Sequence, residues 1–175
     1  MKKLFLFIIL IPLMFIMTSC ELFSGENVSD DHIKCDNLMT DLVSQLKEKD
    51  AQSAKTFFSP RLYEMETFDS DLNDLIDYYG GDLIELYGRV TTGEYSNNYH
   101  EKHHELEYLV ETTTDTFKVC LIYIEKDSRN KNNIGISCLY ILKKSEDEYP
   151  DLRYVGALQS KDGIHVAYPH ELPTE

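Results

Sequence analysis

The chain has 175 residues, 17 of them basic and 31 acidic, for a formal charge of −14, and it carries 12 Tyr but no Trp. That balance argues against a nucleic-acid binder, whose affinity comes from neutralising phosphates with Lys and Arg. It argues equally against a protein that clings to an anionic lipid surface by charge, while the length suits one domain around one core.

The first element is a leader. Lys2 and Lys3 precede an apolar run from Leu4 to Met17, shorter than the roughly 20 residues a helix needs to cross a bilayer. Small residues Thr18 and Ser19 follow, and then Cys20. A basic start, a short apolar core and a small-residue exit describe a secretory signal. With Met17 at the aliphatic position, the seam resembles the lipobox of bacterial lipoproteins. The resemblance implies cleavage before Cys20 and transfer of a diacylglyceryl group, with palmitate-type chains, to its thiol. Two acyl chains anchor stably where one does not. The expected organisation is a lipoprotein signal peptide at 1–19, a lipidated cysteine and tether at 20–29, and a single domain at 30–175. The alternative is an ordinary secretory signal with an incidental cysteine. Loss of Lys2 and Lys3 moves the formal charge from −14 to −16. A domain that acidic stands off the membrane and stays soluble.

From Asp30 or Asp31 the spacing of Cys35, Leu38, Met39, Leu42 and Leu46 predicts a helix with one apolar stripe. Asp50 caps a second, short helix carrying Ala51, Ala54, Phe57 and Phe58, which Pro60 stops. Asp69 or Ser70 caps a third, with Leu72, Leu75, Ile76 and Tyr79 on one face and Gly80-Gly81 ending it. The period then changes from 3.6 to 2. Ile84, Leu86 and Val90 alternate with Glu85, Tyr87 and Arg89, and Leu106, Tyr108, Val110 and Thr112 alternate with Glu105, Glu107 and Glu111. Phe117–Ile124 and Ile134–Leu142 are apolar nearly throughout, which predicts strands buried on both faces. Asp151–Tyr168 reads as a final pair of short extended segments around Lys161-Asp162-Gly163. Either the tail after Tyr149 or a second copy of the chain must cover the far face of the apolar strands.

This order predicts an α+β fold, three N-terminal helices packed on a curved antiparallel sheet of four or more strands. It looks like the cystatin-like, nuclear-transport-factor-2-like cone. More narrowly, Phe58-Ser59-Pro60, Asp71–Gly81, Gly135–Leu142, Tyr154 with Gly156, and Gly163-Ile164 resemble a family of bacterial lipoproteins whose domain has no assigned function. The family carries no catalytic residues to transfer, and fold alone does not fix function.

Three candidate sites stand out. His100, His103 and His104, with Glu101 and Glu105, offer imidazole and carboxylate ligands for zinc. Their spacing matches no defined metal signature, and His103 and His104 would point to opposite faces of a strand, so a solvated hairpin loop is the plainer reading. Cys120 and Cys138 fall on adjacent predicted strands. A hairpin centred on Arg129 would set them opposite each other, within reach of a disulfide; a register slip would leave two buried thiols, with Cys35 a small core residue. Tyr63, Tyr78, Tyr79, Tyr87, Tyr108, Tyr123 and Tyr140 fall in or near core elements. With Asp74, Asp77, Glu85 or Glu107 they could line a polar pocket between helices and sheet. None of these is assigned a catalytic role, and no cofactor is called for.

The expected function is therefore a lipid-anchored binding module on the extracytoplasmic face of the cell membrane, for a small ligand or a cell-surface protein. The alternatives are a small surface enzyme of isomerase or hydrolase type working from a cone pocket, and a structural homodimer built on the doubly apolar strands.

Overall fold

The computed structural model describes residues 29–95, 100–152, 154 and 161–169. Cys20, the signal segment and the tether up to residue 28 lie outside the described residues.

Helix α1 spans Asp30–Glu48. Ser29 caps it by accepting from the His32 amide at 3.2 Å, and its buried stripe is Cys35, Met39, Leu42, Val43 and Leu46. Asp50 caps the short α2 (Ala51–Lys55) through the Ser53 amide at 3.0 Å. Helix α3 (Phe68–Tyr78) starts one or two residues before the expected caps, since Thr67 holds the N-cap position without a side-chain bond. Ser70 instead turns back to the Thr67 carbonyl at 2.7 Å. Burial moves the boundary: the Phe68 ring packs 5.6 Å from Phe58 and 5.4 Å from Tyr63, which draws Phe68 into the helix.

Five strands follow: β1 Leu83–Tyr95, β2 Glu101–Thr112, β3 Thr116–Asp127, β4 Gly135–Lys143 and β5 Gly163–Val166. They lie in chain order, β1-β2-β3-β4-β5. The first four form an antiparallel meander, while β5 runs parallel to β4. This corrects the expected sheet. It is mixed rather than antiparallel throughout, in a fold that keeps the expected α+β order of helices before strands; the cone is not established by it. The physical cause is the long connection between β4 and β5. A parallel neighbour needs a crossover of a dozen or more residues, and residues 144–162 provide one. Of the expected pair of extended segments in 151–168, Gly163–Val166 is the strand among the described residues, while 153 and 155–160 lie outside them.

The two faces of the sheet follow strictly from parity. On the inner face Leu106, Val110, Phe117, Val119, Leu121, Leu139 and Ile141 pack with the helix stripes in one cluster. Phe117 stacks on Tyr79 with centroids 5.1 Å apart. Tyr79 and Leu121 are fully packed there and Phe57 packs against them, so the space between helices and sheet is filled by side chains. On the outer face Cys120, Cys138, Tyr140 and Leu142 form a second cluster with Tyr154, and Ile122 and Tyr168 pack against it. The far side of the apolar strands is thus covered by the chain's own crossover and tail.

The far edge of β4 is closed in two pieces. Gly163–Val166 pairs with Cys138–Ile141, and Phe58 makes a parallel bridge to Ile136. The Ser59 amide donates to the Ile136 carbonyl at 2.9 Å, and the Ile136 amide to the Phe57 carbonyl at 2.9 Å. Gly135 adopts φ +122°, and a Cβ there would lie 2.7 Å from the Ser59 nitrogen. Several residues that carry the family resemblance therefore meet at one structural joint.

Candidate functional site

Two places gather chemistry. The first is a polar knot at the inner end of β1–β3. Parity puts His104 on the inner face of β2, fully buried and stacked 5.9 Å from Tyr123. Its Nε2–H donates to Glu125 at 2.8 Å, and its Nδ1 lies 3.0 Å from the Thr92 hydroxyl. Lys102 donates to Asp31 at 2.6 Å and lies 3.2 Å from Glu125, to which Lys34 also donates. Burial alone would raise Glu125, but hydrogen bonds from Lys34, His104 and Lys102 outweigh it and hold the carboxyl down at about 2. The Lys102 hydrogen bond likewise lowers Asp31.

Asp31, His104 and Glu125 present ligand atoms within 4.8 Å of one another, close enough for a shared metal ion. The Lys102 ammonium already bridges the two carboxylates, so this donor set is neutralised from within. The knot reads as a buried joint tying the start of α1 to the sheet. It also corrects the picture of the histidines. Glu101–Glu105 is strand, not a solvated loop. His103 lies on the outer face over Gly93, near Glu101 at 3.4 Å. His100 is exposed at the start of β2, where its backbone bonds Ser128. The three histidines do not converge.

Nor do the cysteines pair. Cys120 faces Tyr140 and Cys138 faces Ile122, so the two sit diagonally rather than opposite, and both are free buried thiols, as is Cys35. A bulge between Ile122 and Tyr123 in the β3–β4 ladder sets that register. Burial pushes the Cys138 and Cys35 thiols up to about 11, which keeps them protonated and unreactive. Cys120 donates to the Tyr154 carbonyl at 3.1 Å and helps hold the cover in place.

The second place is a cleft on the outer face. The described residues of the crossover meet β3 at Lys118 and Cys120, and beside them Tyr87 of β1 and Leu109 of β2 remain exposed. Lys118 projects from β3 into the crossover, with 5 % of its side chain exposed against 1 % for Asp147. Its ammonium donates to Asp147 at 2.6 Å and to the Pro150 and Leu152 carbonyls at 2.9 Å each. This latch holds residues 147–152 as a wall. Between the wall and the open strands lies a cavity of about 520 Å³. Tyr87 and Leu109, paired across β1 and β2, form its floor, and Leu152 forms its wall. All three are large apolar side chains that remain exposed. Arg89, bonded to Glu107 at 3.3 Å, and Lys144 give it a basic rim. Lys144 has no ionic partner among the described residues. Asp151 also lines the cleft, near that rim.

The remaining tyrosines are placed as structure. Tyr108 lays its ring over Gly88, where a Cβ would lie 2.1 Å from its Cε1, and donates to Asp36 of α1 at 2.6 Å. Tyr78 donates to Glu146 at 2.6 Å and accepts from the Lys143 amide at 2.9 Å. Asp74 and Asp77 lie on α3 away from its buried stripe, Asp77 within 3.3 Å of Lys49.

Most of the helices, the four-stranded meander and the floor of the cleft arise from a stretch that one known family describes. The chain belongs to the family described as Domain of unknown function (DUF5104). The family matches residues 41–144, from the middle of α1 to just past β4. The floor of the cleft lies inside that span, whereas the 147–152 wall and β5 lie beyond it. No curated protein and no solved structure matches the chain.

Proposed function

We propose that this protein is a lipid-anchored binding module of the extracytoplasmic membrane face, and that the outer-face cleft takes its ligand. The observation that carries the binding reading is the cleft itself. Its 520 Å³ volume is in the range of small-molecule sites, and Tyr87, Leu109 and Leu152 supply an apolar lining with a few polar groups at the rim. Lys144 and Arg89 favour an anionic group, so the ligand class is a small, mainly apolar molecule carrying one acid. The anchor rests on the Lys2-Lys3 start, the short apolar run and Cys20. Against chemistry stand the buried, protonated thiols and a histidine whose two nitrogens are already engaged.

The test uses 1-anilinonaphthalene-8-sulfonate, an apolar dye with one anionic group. Saturable enhancement of its fluorescence is expected with the wild type. Leu109→Arg, which puts a charge on the floor, should abolish it while leaving circular dichroism unchanged, and Lys144→Gln should weaken it several-fold. Unsaturable binding, or binding indifferent to Leu109→Arg, would overturn the reading. For the anchor, Cys20→Ser should leave the protein out of the membrane fraction; normal retention there would sink it.

A further inference from the structure

The two edges of the sheet are treated differently. β4's outer edge is closed by β5 and by Phe57–Ser59, whereas β1 presents an edge of thirteen residues. Among the described residues, no other segment hydrogen-bonds to the backbone of that edge from Ile84 onward. Free edges of this length template pairing with another chain, and proteins normally blunt them with charges that repel. The charges on β1 do the reverse. Its outer-face residues run Glu85, Tyr87, Arg89 and Thr91. Two copies of β1 placed antiparallel about a twofold axis at Tyr87 set Glu85 of each copy opposite Arg89 of the other, with the two tyrosines facing each other. Opposite charges and aromatic pairs across neighbouring strands both stabilise such a ladder.

The monomer also leaves Glu85 needing such a partner. Within its own sheet Glu85 faces Glu111, a like-charge pair across strands that is unfavourable. Its hydrogen bond is with the neighbouring Tyr87 hydroxyl, and among the described residues it has no cation. Among the described residues, the most exposed large apolar side chains, Ile84 at 58 % and Tyr87 at 52 %, sit on this same strand. We infer that β1 is an isologous interface. Two copies of the chain join edge to edge about Tyr87, so that one sheet runs through both, and the partner's Arg89, 3.3 Å from Glu107 of its own chain, comes opposite Glu85 as a shared cation. This differs from a dimer on the doubly apolar strands, whose outer face the crossover already covers. Tyr87 and Arg89 also line the cleft, but sedimentation reads this interface without any ligand, so its failure and that of the cleft are distinguishable.

The register makes a sharp test on the full-length chain in detergent, read by sedimentation. Wild type is expected to be dimeric. Glu85→Arg sets Arg against Arg and Arg89→Glu sets Glu against Glu, so each should sediment as a monomer with unchanged circular dichroism. Mixing the two variants should restore a dimer containing one chain of each, because every cross-strand pair then joins opposite charges. Tyr87→Cys in membranes should cross-link to a dimer with a short bismaleimide, the two positions lying about 5 Å apart across the pair. Thr91→Cys should not, because its copies lie about 27 Å apart along the strands. A monomeric wild type, single variants that still dimerise, or a mixture that stays monomeric would each overturn the inference.

Discussion

The two faces of this sheet are closed by different physics. The inner face is covered by α1 and α3 through interdigitated apolar side chains, with Phe117, Leu121 and Leu106 fully buried. Among the described residues, the outer face is covered beside β3–β5 by a smaller apolar cluster around Tyr140 and Tyr154, and by the 147–152 loop, which one buried ion pair latches. Apolar packing spreads its cost over many contacts, so an inner-face site resists opening as a unit. A loop latched by one ammonium can be released locally while the remainder stays folded. The proposed ligand cleft accordingly lies on the more lightly held face.

The largest effect should come from the inner face. Phe117→Ala removes a ring stacked on Tyr79 and is expected to cost about 4 kcal/mol in urea unfolding. A loss under half that would mean the inner face is packed less tightly than its burial implies. Next comes the latch. Lys118→Met strands a buried Asp147 carboxylate and leaves the Pro150 and Leu152 carbonyls without this donor, at a cost of about 3 kcal/mol. Hydrogen exchange should rise across 147–152 while α1 stays protected. Equal loss of protection in α1 would show that the two faces are not independent.

The polar knot should cost less. Glu125→Gln removes charge-assisted bonds to Lys34, Lys102 and His104 and is expected to cost about 2 kcal/mol at neutral pH. Glu125 is held below its ordinary value, so its contribution is present above about 4.5 and is lost as pH falls towards about 2. Wild type should therefore lose stability over that acid window, and the variant's profile should be flatter there. An identical slope in both would exclude Glu125 from the acid transition. The smallest effect is expected from Leu109→Arg. It should change stability by less than about 0.5 kcal/mol, since Leu109 lies on the open part of the outer face. A larger loss would mean the cleft floor belongs to the core.

Much of this layout was legible along the chain. The alternation in β1 and β2 and the unbroken apolar runs of β3 and β4 come directly from which faces are buried. Three residues announced more than their periodicity conveyed. Lys118 interrupts a run buried on both faces, and a lysine there must have a partner, which proved to be Asp147 and the crossover carbonyls. Glu125 continues the inner-face series Phe117, Val119, Leu121, Tyr123, and His104 continues the series of Leu106, Tyr108 and Val110 at the same end of the sheet. A carboxylate and an imidazole at matching ends of two apolar stripes point to a pair. Asp31 was not readable as their neighbour, because nothing in its helix turn encodes a contact with a strand so distant in sequence. The direction of β5 was equally hidden, since four residues have a period but no polarity. The cysteine register failed for a local reason. Carrying the Tyr123–Ile136 pairing onward would set Cys120 against Leu139, and the bulge adds one residue more, to Tyr140.

The parallel strand has a consequence in time. The meander β1–β4 is built from neighbours in sequence, so each hairpin closes over a short loop. β5 is separated from β4 by residues 144–162, and Lys118 must capture 147–152 from that connection. Contacts that close long loops form late. We expect β5 and the latch to be the last parts of this protein to fold and the first to open, with amides of Gly163–Val166 gaining protection after those of β2 and β3 in pulse-labelled refolding.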